Sequence, residues 1–427
     1  MSRPQKSCLF IAPVLFALAV PAADCHGETG GVLCDGGFGV FQWRSTTGVT
    51  VSVGAPKSEG FAIHACQAKL SWGQQELVAA PQDAQIDVDA VDVDLGVGVP
   101  VVALQIKKSA ADKFMSYEIY SLSEPPQRLR VINGGEMYSA ADTDLDGRVE
   151  IGTEDAAAVD GFEEIPLSSL DFAPPMMLRF ERKQLIDVSA QFRPEYDRRI
   201  AALRAQLDDA QVKAFRQSDG TLKALFPPLP MEWARLRRTK VIVLEIVWCY
   251  LYSGRQQEAW NTLAEMWPPS DLDRIRAAIL DARARGIAHE VDGVSSETDP
   301  RWKKAKAAIY NAPLDKTSIP IFKHPLSANA PIMSDPDAYE AKLYADTLPM
   351  QILLRRPMLP PGSNDAMEAA IPLNIVVDSA GKVRAAKSLG RDDQELLRAT
   401  AGWKFVPASK GGHPVACKFR IDVSPAR

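Results

Sequence analysis

The hydrophobic period changes near Pro174-Pro175, and that change limits the folds open to this chain. Before it, short apolar or alternating runs recur at 39–43, 49–53, 61–70, 97–106, 115–122 and 129–132, separated by turn residues. A period of two puts successive side chains on opposite faces, so each run reads as a strand. The series reads as a sandwich or part of a propeller. Residues 177–186 can add two short strands. From Pro194 the period is helical: Ile200, Leu203, Leu207 and Phe215 fall near one face of 195–217, with Asp219-Gly220 as a stop. Strands first and helices after them indicate an α+β chain.

A second helix is expected over 232–253, nearly all apolar from 241 to 252. That run is far shorter than the ~20 residues of a membrane span and contains Glu245, so it reads as a buried helix. A tight turn at Gly254 leads into a third helix ending at Trp267-Pro268-Pro269. The stretch CYLYSGRQQEAWNTLAEMWPP, within about 241–268, resembles one tetratricopeptide hairpin, with Gly254, Ala259 and Pro268 near the family's positions. A solenoid needs about three repeats, so this unit reads as a helical packing module. Ser270 and Asp273 form a capping-box pattern for a helix reaching Arg285-Gly286, and 302–310 can form another. Trp233, Trp248, Trp260 and Trp267 all fall in these helices and read as core. Residues 312–362 hold nine prolines between 313 and 361 and read as a semi-stiff linker with an isolated helix at 337–347.

The C-terminal run 371–423 has its own order. Residues 372–378 alternate, Ser379-Ala380-Gly381-Lys382 supplies a hairpin turn, and 383–389 returns. Asp392 or Asp393 can cap a short helix through Gly402, and 417–423 alternates again. The VVDSAGKV hairpin, the helix ending in WKF, Phe405-Val406-Pro407-Ala408 and Gly412-His413-Pro414-Val415 together resemble the C-terminal domain of the TonB family. The resemblance covers about an eighth of the chain. It implies a ββαβ fold in the periplasmic part of a protein that energises outer-membrane transporters. It also implies that the closing strand (Cys417, Lys418, Phe419, Arg420, Ile421, Asp422 and Val423) receives an extended partner peptide by β-augmentation. The chain departs from the family in having no long proline repeat and in placing Arg356-Pro357 and Pro360-Pro361 where a Tyr-Pro motif is usual.

One loop suits a metal. Residues 142–150 read D-x-D-x-D-G-x-x-E: Asp142, Asp144, Asp146 and Glu150 offer carboxylates, Arg148 its carbonyl, and Gly147 a sharp turn. An EF-hand would also need Glu at position 12, where Thr153 stands. Val149-Glu150-Ile151 looks extended, so the loop falls between strands and resembles the calcium loops of FG-GAP-type propeller repeats. Calcium in a structural role is the expected ion. The acidic stretch 86–95, IDVDAVDVDL, reads instead as a solvated strand face.

The first 23 residues carry Arg3 and Lys6, an apolar core from Cys8 to Val20, and a small-residue site at Val20-Pro21-Ala22 or Pro21-Ala22-Ala23. This is the pattern of a cleaved export signal. An anchor retained in the inner membrane by 1–23 is the alternative, and it is the arrangement a TonB-type transducer needs. Export permits disulfides. Of six cysteines, Cys8 leaves with the signal, and Cys25–Cys34 is the simplest pair. Net charge is −5 with no basic cluster, which argues against nucleic acid. The five histidines form no metal-binding pair, and no nucleophile elbow or phosphate loop occurs, so the chain is not expected to be an enzyme.

These readings combine into a multidomain α+β protein: a signal (1–23), a β-rich domain (24–186), a helical domain (187–311), a linker (312–362) and a TonB-like ββαβ domain (363–427). The expected function is an exported periplasmic or envelope binding or scaffold protein, without a membrane span after signal cleavage. Its expected partner is a protein or peptide such as part of an outer-membrane transporter. The alternatives are an extracytoplasmic binder that works through a calcium-stabilised β domain, or a hydrolase.

Overall fold

A computed structural model describes residues 33–56, 64–223, 230–292, 336, 347, 349–353, 370–390 and 394–423. The expectations for the leader, for Cys25, for a helix at 302–310, for the helix at 337–347 except residue 347, and for most of the linker lie outside the described residues. The chain is a mixed α and β protein.

Its N-terminal strands are β1 (Cys34–Asp35), β2 (Phe41–Arg44), β3 (Thr50–Gly54), β4 (Cys66–Trp72), β5 (Gln75–Asp83), β6 (Gln85–Val93), β7 (Val101–Lys107), β8 (Met115–Ser121), β9 (Arg128–Gly135), β10 (Tyr138–Ala141), β11 (Glu150–Glu154), β12 (Pro175–Glu181) and β13 (Gln184–Asp187). They form three antiparallel sheets, ordered β2-β3-β4-β5, β1-β6-β7-β8-β9 and β10-β11-β12-β13. Each is a meander of strands consecutive in sequence, with β1 added to the second. The second sheet lies between the other two, because its strands are apolar on both faces. Along β7, Val102, Leu104 and Ile106 pack with Val51, Val53 and Leu70 of the first sheet. The intervening Val101 and Ala103 join a cluster with Tyr138, Ile151 and Leu178 of the third.

The helices are α1 (Ala156–Val159), α2 (Arg193–Arg204), α3 (Asp209–Arg216), α4 (Pro230–Tyr252), α5 (Gln256–Met266) and α6 (Leu272–Arg285). The single helix expected over 195–217 is broken, because Asp208 accepts the Gln211 amide at 2.7 Å and starts α3. Helix α4 is buried all round from Thr239 to Cys249, as a mostly apolar stretch requires, with Lys240 paired to Glu163 and Glu245 accepting the Asp171 amide. It shares one apolar cluster with the second and third sheets, so the core runs unbroken from strands to helices. Helices α4 and α5 form a hairpin, with Gly254 at φ +76 in the turn. Among the described residues no helix is long and apolar enough to cross a membrane.

The C-terminal unit contains β14 (Met350–Leu353), β15 (Ile371–Val377), β16 (Val383–Ser388), α7 (Gln394–Ala399), β17 (Lys404–Val406), β18 (Ala408–Lys410), β19 (His413–Val415) and β20 (Cys417–Val423). Three strands make a sheet ordered β16-β15-β20; β14 pairs β17, and β18 pairs β19. Leu373, Ile375, Val377, Leu396, Trp403, Phe405 and Val423 form its core. The turn between β15 and β16 requires glycine: Gly381 has φ +80, and a Cβ there would lie 1.9 Å from the Phe405 carbonyl oxygen.

Two expectations are corrected. The disulfide joins Cys34 to Cys66, 32 residues apart, because β1 and the start of β4 meet beside β6; a loop of that length stabilises by roughly 4 kcal/mol in the chain-entropy account. The acidic stretch 86–95 is not a solvated face. Asp87, Asp89 and Asp92 are all less than 7% exposed, because β6 lies inside the middle sheet and each carboxylate meets donors there. Gln105 donates to Asp87, and Thr46 and Trp43 donate to Asp92. Asp89 receives donors from the C-terminal unit as well.

Candidate metal centre

The D-x-D-x-D-G loop connects β10 to β11, whose register pairs Ala141 with Glu150. Its carboxylates curl it. Asp142 Oδ2 accepts the Gly147 amide at 3.1 Å, Asp144 Oδ1 the Asp146 amide at 3.2 Å, and Asp146 Oδ1 the Arg148 amide at 2.8 Å. Gly147 takes φ +87 and Leu145 takes φ +59. For a leucine that backbone is costly. Its side chain is accounted for by packing on Val376 and Ala385 of the C-terminal sheet.

Ligand oxygens of Asp142, Asp144 and Asp146 lie within 4.8 Å of one another, graded from buried Asp142 to exposed Asp146. Asp142 is fully buried, and its Oδ1 has no hydrogen-bond partner among the described residues. A buried carboxylate oxygen left bare costs of order 1–3 kcal/mol or more, so this oxygen suits a donor or a cation. Burial pushes Asp142 up to about 7, and the nearby charge of Asp378 adds to the rise. Asp144 is raised by burial and then by Asp146. Carboxylates crowded out of water are driven to protonate unless a cation joins them. Hard oxygen donors on a curled loop suit calcium, and Asp142, Asp144 and Asp146 are the residues that would hold it.

The other two expected ligands are placed differently. Glu150 stands apart from the three aspartates. It faces Arg179 across the β11–β12 ladder, accepts its Nη1 at 3.3 Å, and accepts the Thr143 amide at 2.9 Å. It therefore braces the loop beside Arg179, although burial pushes its carboxyl up to about 8, with Asp144 and Asp142 adding to the rise and the Thr143 amide and Arg179 opposing it. The Arg148 guanidinium reaches back to Asp146, with Nη2 2.6 Å from Oδ2, so the outermost carboxylate already has a partial counter-charge. Thr153, at the EF-hand position 12, lies inside β11 and donates to the Met137 carbonyl at 2.6 Å.

The inner end of the loop is completed by a segment more than 230 residues away. Ser379 Oγ donates to Asp142 Oδ2 at 2.8 Å, and the Asp142 amide donates to Asp378 Oδ2 at 3.2 Å. Asp378 and Ser379 are both fully buried. Asp378 Oδ1 in turn accepts the amides of Ala380 and Lys382, holding its own turn. On the far side of that turn, Lys382 Nζ donates to Asp89 Oδ1 at 2.6 Å and to Ser139 Oγ at 2.7 Å. Lys404 Nζ donates to the Asp89 carbonyl at 2.8 Å. Asp89 Oδ2 accepts Tyr117 Oη and the Ala140 amide. Sequence reasoning found Asp378 only as the end of a strand and Ser379 only as a turn residue. The sole local signal was an Asp-Ser pair in a hairpin, which carries no information about a partner so distant in sequence.

The proposed partner strand, Cys417–Val423, is β20. Cys417 and Val423 are buried, Phe419 and Ile421 pack on the unit's core, and Arg420 and Asp422 are exposed on the other face. Among the described strands β20 pairs with β15 alone, in register from Ile371↔Val423 to Val377↔Cys417. Comparison with known protein families, with curated proteins and with solved structures finds no match.

Proposed function

We propose that this chain is an exported binding or scaffold protein of the cell envelope. Its C-terminal ββαβ unit resembles the TonB C-terminal domain and accepts an extended segment of a protein partner along β20. The sheets and helices before it serve as the platform, with calcium in the 142–146 loop as a structural ion. Entry into energy-coupled outer-membrane transport, with a transporter segment as the partner, follows from the family resemblance.

The observation that carries this reading is that, among the described strands, β20 stands at the margin of the β16-β15-β20 sheet. A marginal strand offers a row of main-chain donors and acceptors, which give affinity to an added strand, while alternating side chains select its sequence. The charged residues Arg420 and Asp422 on its outer face discourage pairing between two copies of the chain. The Cys34–Cys66 disulfide supports an oxidising compartment. The test is backbone NMR of the full chain titrated with extended peptides from the N-terminal segments of outer-membrane transporters. The reading expects shifts concentrated in the amides of 417–423. Amides there that stay unmoved while peptide binds elsewhere, or no binding at all, would sink it.

A further inference from the structure

The cation loop and the C-terminal turn are built as one site, an inference that rests on the calcium reading of Asp142, Asp144 and Asp146. Three contacts join them. Ser379 Oγ and the Gly147 amide both occupy Asp142 Oδ2, which leaves Oδ1 as the bare oxygen. Asp378 accepts the Asp142 amide and so fixes where the loop begins. Leu145, in its left-handed conformation, is seated on Val376 and Ala385. A loop that spread to separate its three aspartates would break all three contacts.

We infer that calcium binding and the seating of turn 378–382 are linked: the ion holds the C-terminal unit on the β sheets, and its loss loosens that unit. Ser379 and Asp378 are positioning residues, acting on the ion through Asp142. Linkage is reciprocal, so whatever factor calcium applies to seating, seating applies to calcium affinity. The turn has a second anchor that touches none of the aspartates in the loop, the Lys382–Asp89 pair. Weakening that anchor gives a test that separates linkage from simple electrostatics. Removing a nearby positive charge would by itself tighten calcium binding, whereas linkage makes it weaker.

The experiment is calorimetric calcium titration of the full chain and of Lys382→Met, with amide exchange of residues 379–382 measured in the wild type with and without calcium. The expected result is a roughly tenfold loss of calcium affinity in the variant, within the usual range of coupling. Calcium should also slow wild-type exchange at the turn at least about fivefold. Wild type that binds no calcium overturns the metal reading and this inference together. Wild type that binds calcium, with unchanged or tighter binding in Lys382→Met and unchanged exchange at the turn, overturns the inference alone. If Lys382→Met does not fold, the wild-type exchange decides.

Discussion

Replacing Lys382 by methionine should detach the C-terminal unit before it disturbs the sheets. The Nζ–Oδ1 separation from Asp89 is 2.6 Å, with 18% of the lysine side chain and 4% of the aspartate side chain exposed. At an effective dielectric of about 20, unit charges at that distance attract by about 6 kcal/mol before desolvation. Removing one member of a buried pair costs about 3–5 kcal/mol, because the other charge is stranded. Asp89 keeps Tyr117 and the Ala140 amide as donors, and Lys404 lies close by. The lower end of the range, about 3 kcal/mol, is therefore expected. The assay is urea unfolding followed by amide exchange and mass spectrometry, which resolves 371–423 from the strands before residue 187. The unit should open at lower urea while β6–β8 keep their midpoint. The double variant Asp89→Asn/Lys382→Met should lose less than the sum of the single losses, giving a coupling of at least ~1 kcal/mol. Losses that simply add, or a Lys382→Met midpoint within 0.5 kcal/mol of wild type, would refute the argument. Acid should act in the same way. Burial opposes ionisation of Asp89, but Lys382 and Lys404 hold its carboxyl below the ordinary 3.8. The stability it contributes is present above pH 3.8 and is lost as pH falls through the lower folded value.

Two further outcomes are expected. Calcium at a hundred times its dissociation constant should stabilise the wild type by about 2.7 kcal/mol, read as a thermal shift. In Asp142→Asn that shift should vanish, and without calcium at pH 8 the variant should be no less stable than wild type, because a buried charge has been removed. The second concerns Glu245 on α4, fully buried, with Oε1 accepting the Asp171 amide at 2.6 Å and Oε2 without a partner among the described residues. Burial pushes it from 4.5 up to about 7. The folded state therefore holds a proton that the unfolded chain releases, and the favourable contribution present below pH 4.5 is lost as pH rises through about 7. Across that window the wild type should lose on the order of 2–3 kcal/mol relative to Glu245→Gln. Parallel stability curves of the two proteins between pH 4.5 and 8 would contradict the placement.

The legible parts of this fold were those set by local period. Alternation marked β2, β3, β7, β8 and β15, the Asp/Gly spacing placed a curled loop between two strands, and in 371–423 the first two strands, the helix and the closing strand were readable. Strand β5 was not, because QELVAAPQD mixes polar and apolar residues without alternation. Nor were β14 and β17–β19, which are three or four residues long and defined by their pairing rather than their side chains. The Asp-Val alternation of β6 had the right period and the wrong environment. Pairs of aspartates two residues apart, 87/89 and 92/94, look solvated until Tyr117, Gln105 and Lys382 are brought to Asp87 and Asp89 from 18 to 293 residues away. The metal loop shows the same limit. Spacing grouped Asp142, Asp144 and Asp146, whose carboxylates do cluster within 4.8 Å, but Glu150 pairs with Arg179 across a ladder, and the turn behind Asp142 comes from a segment more than 230 residues away.

A crystal structure of the full chain grown with calcium addresses the account most directly. It should show one ion at 2.3–2.6 Å from oxygens of Asp142, Asp144 and Asp146, including Asp142 Oδ1, with Ser379 still on Oδ2 and Lys382 on Asp89. Calcium-saturated crystals with no ion between those aspartates, or with residues 378–382 seated elsewhere, would contradict it.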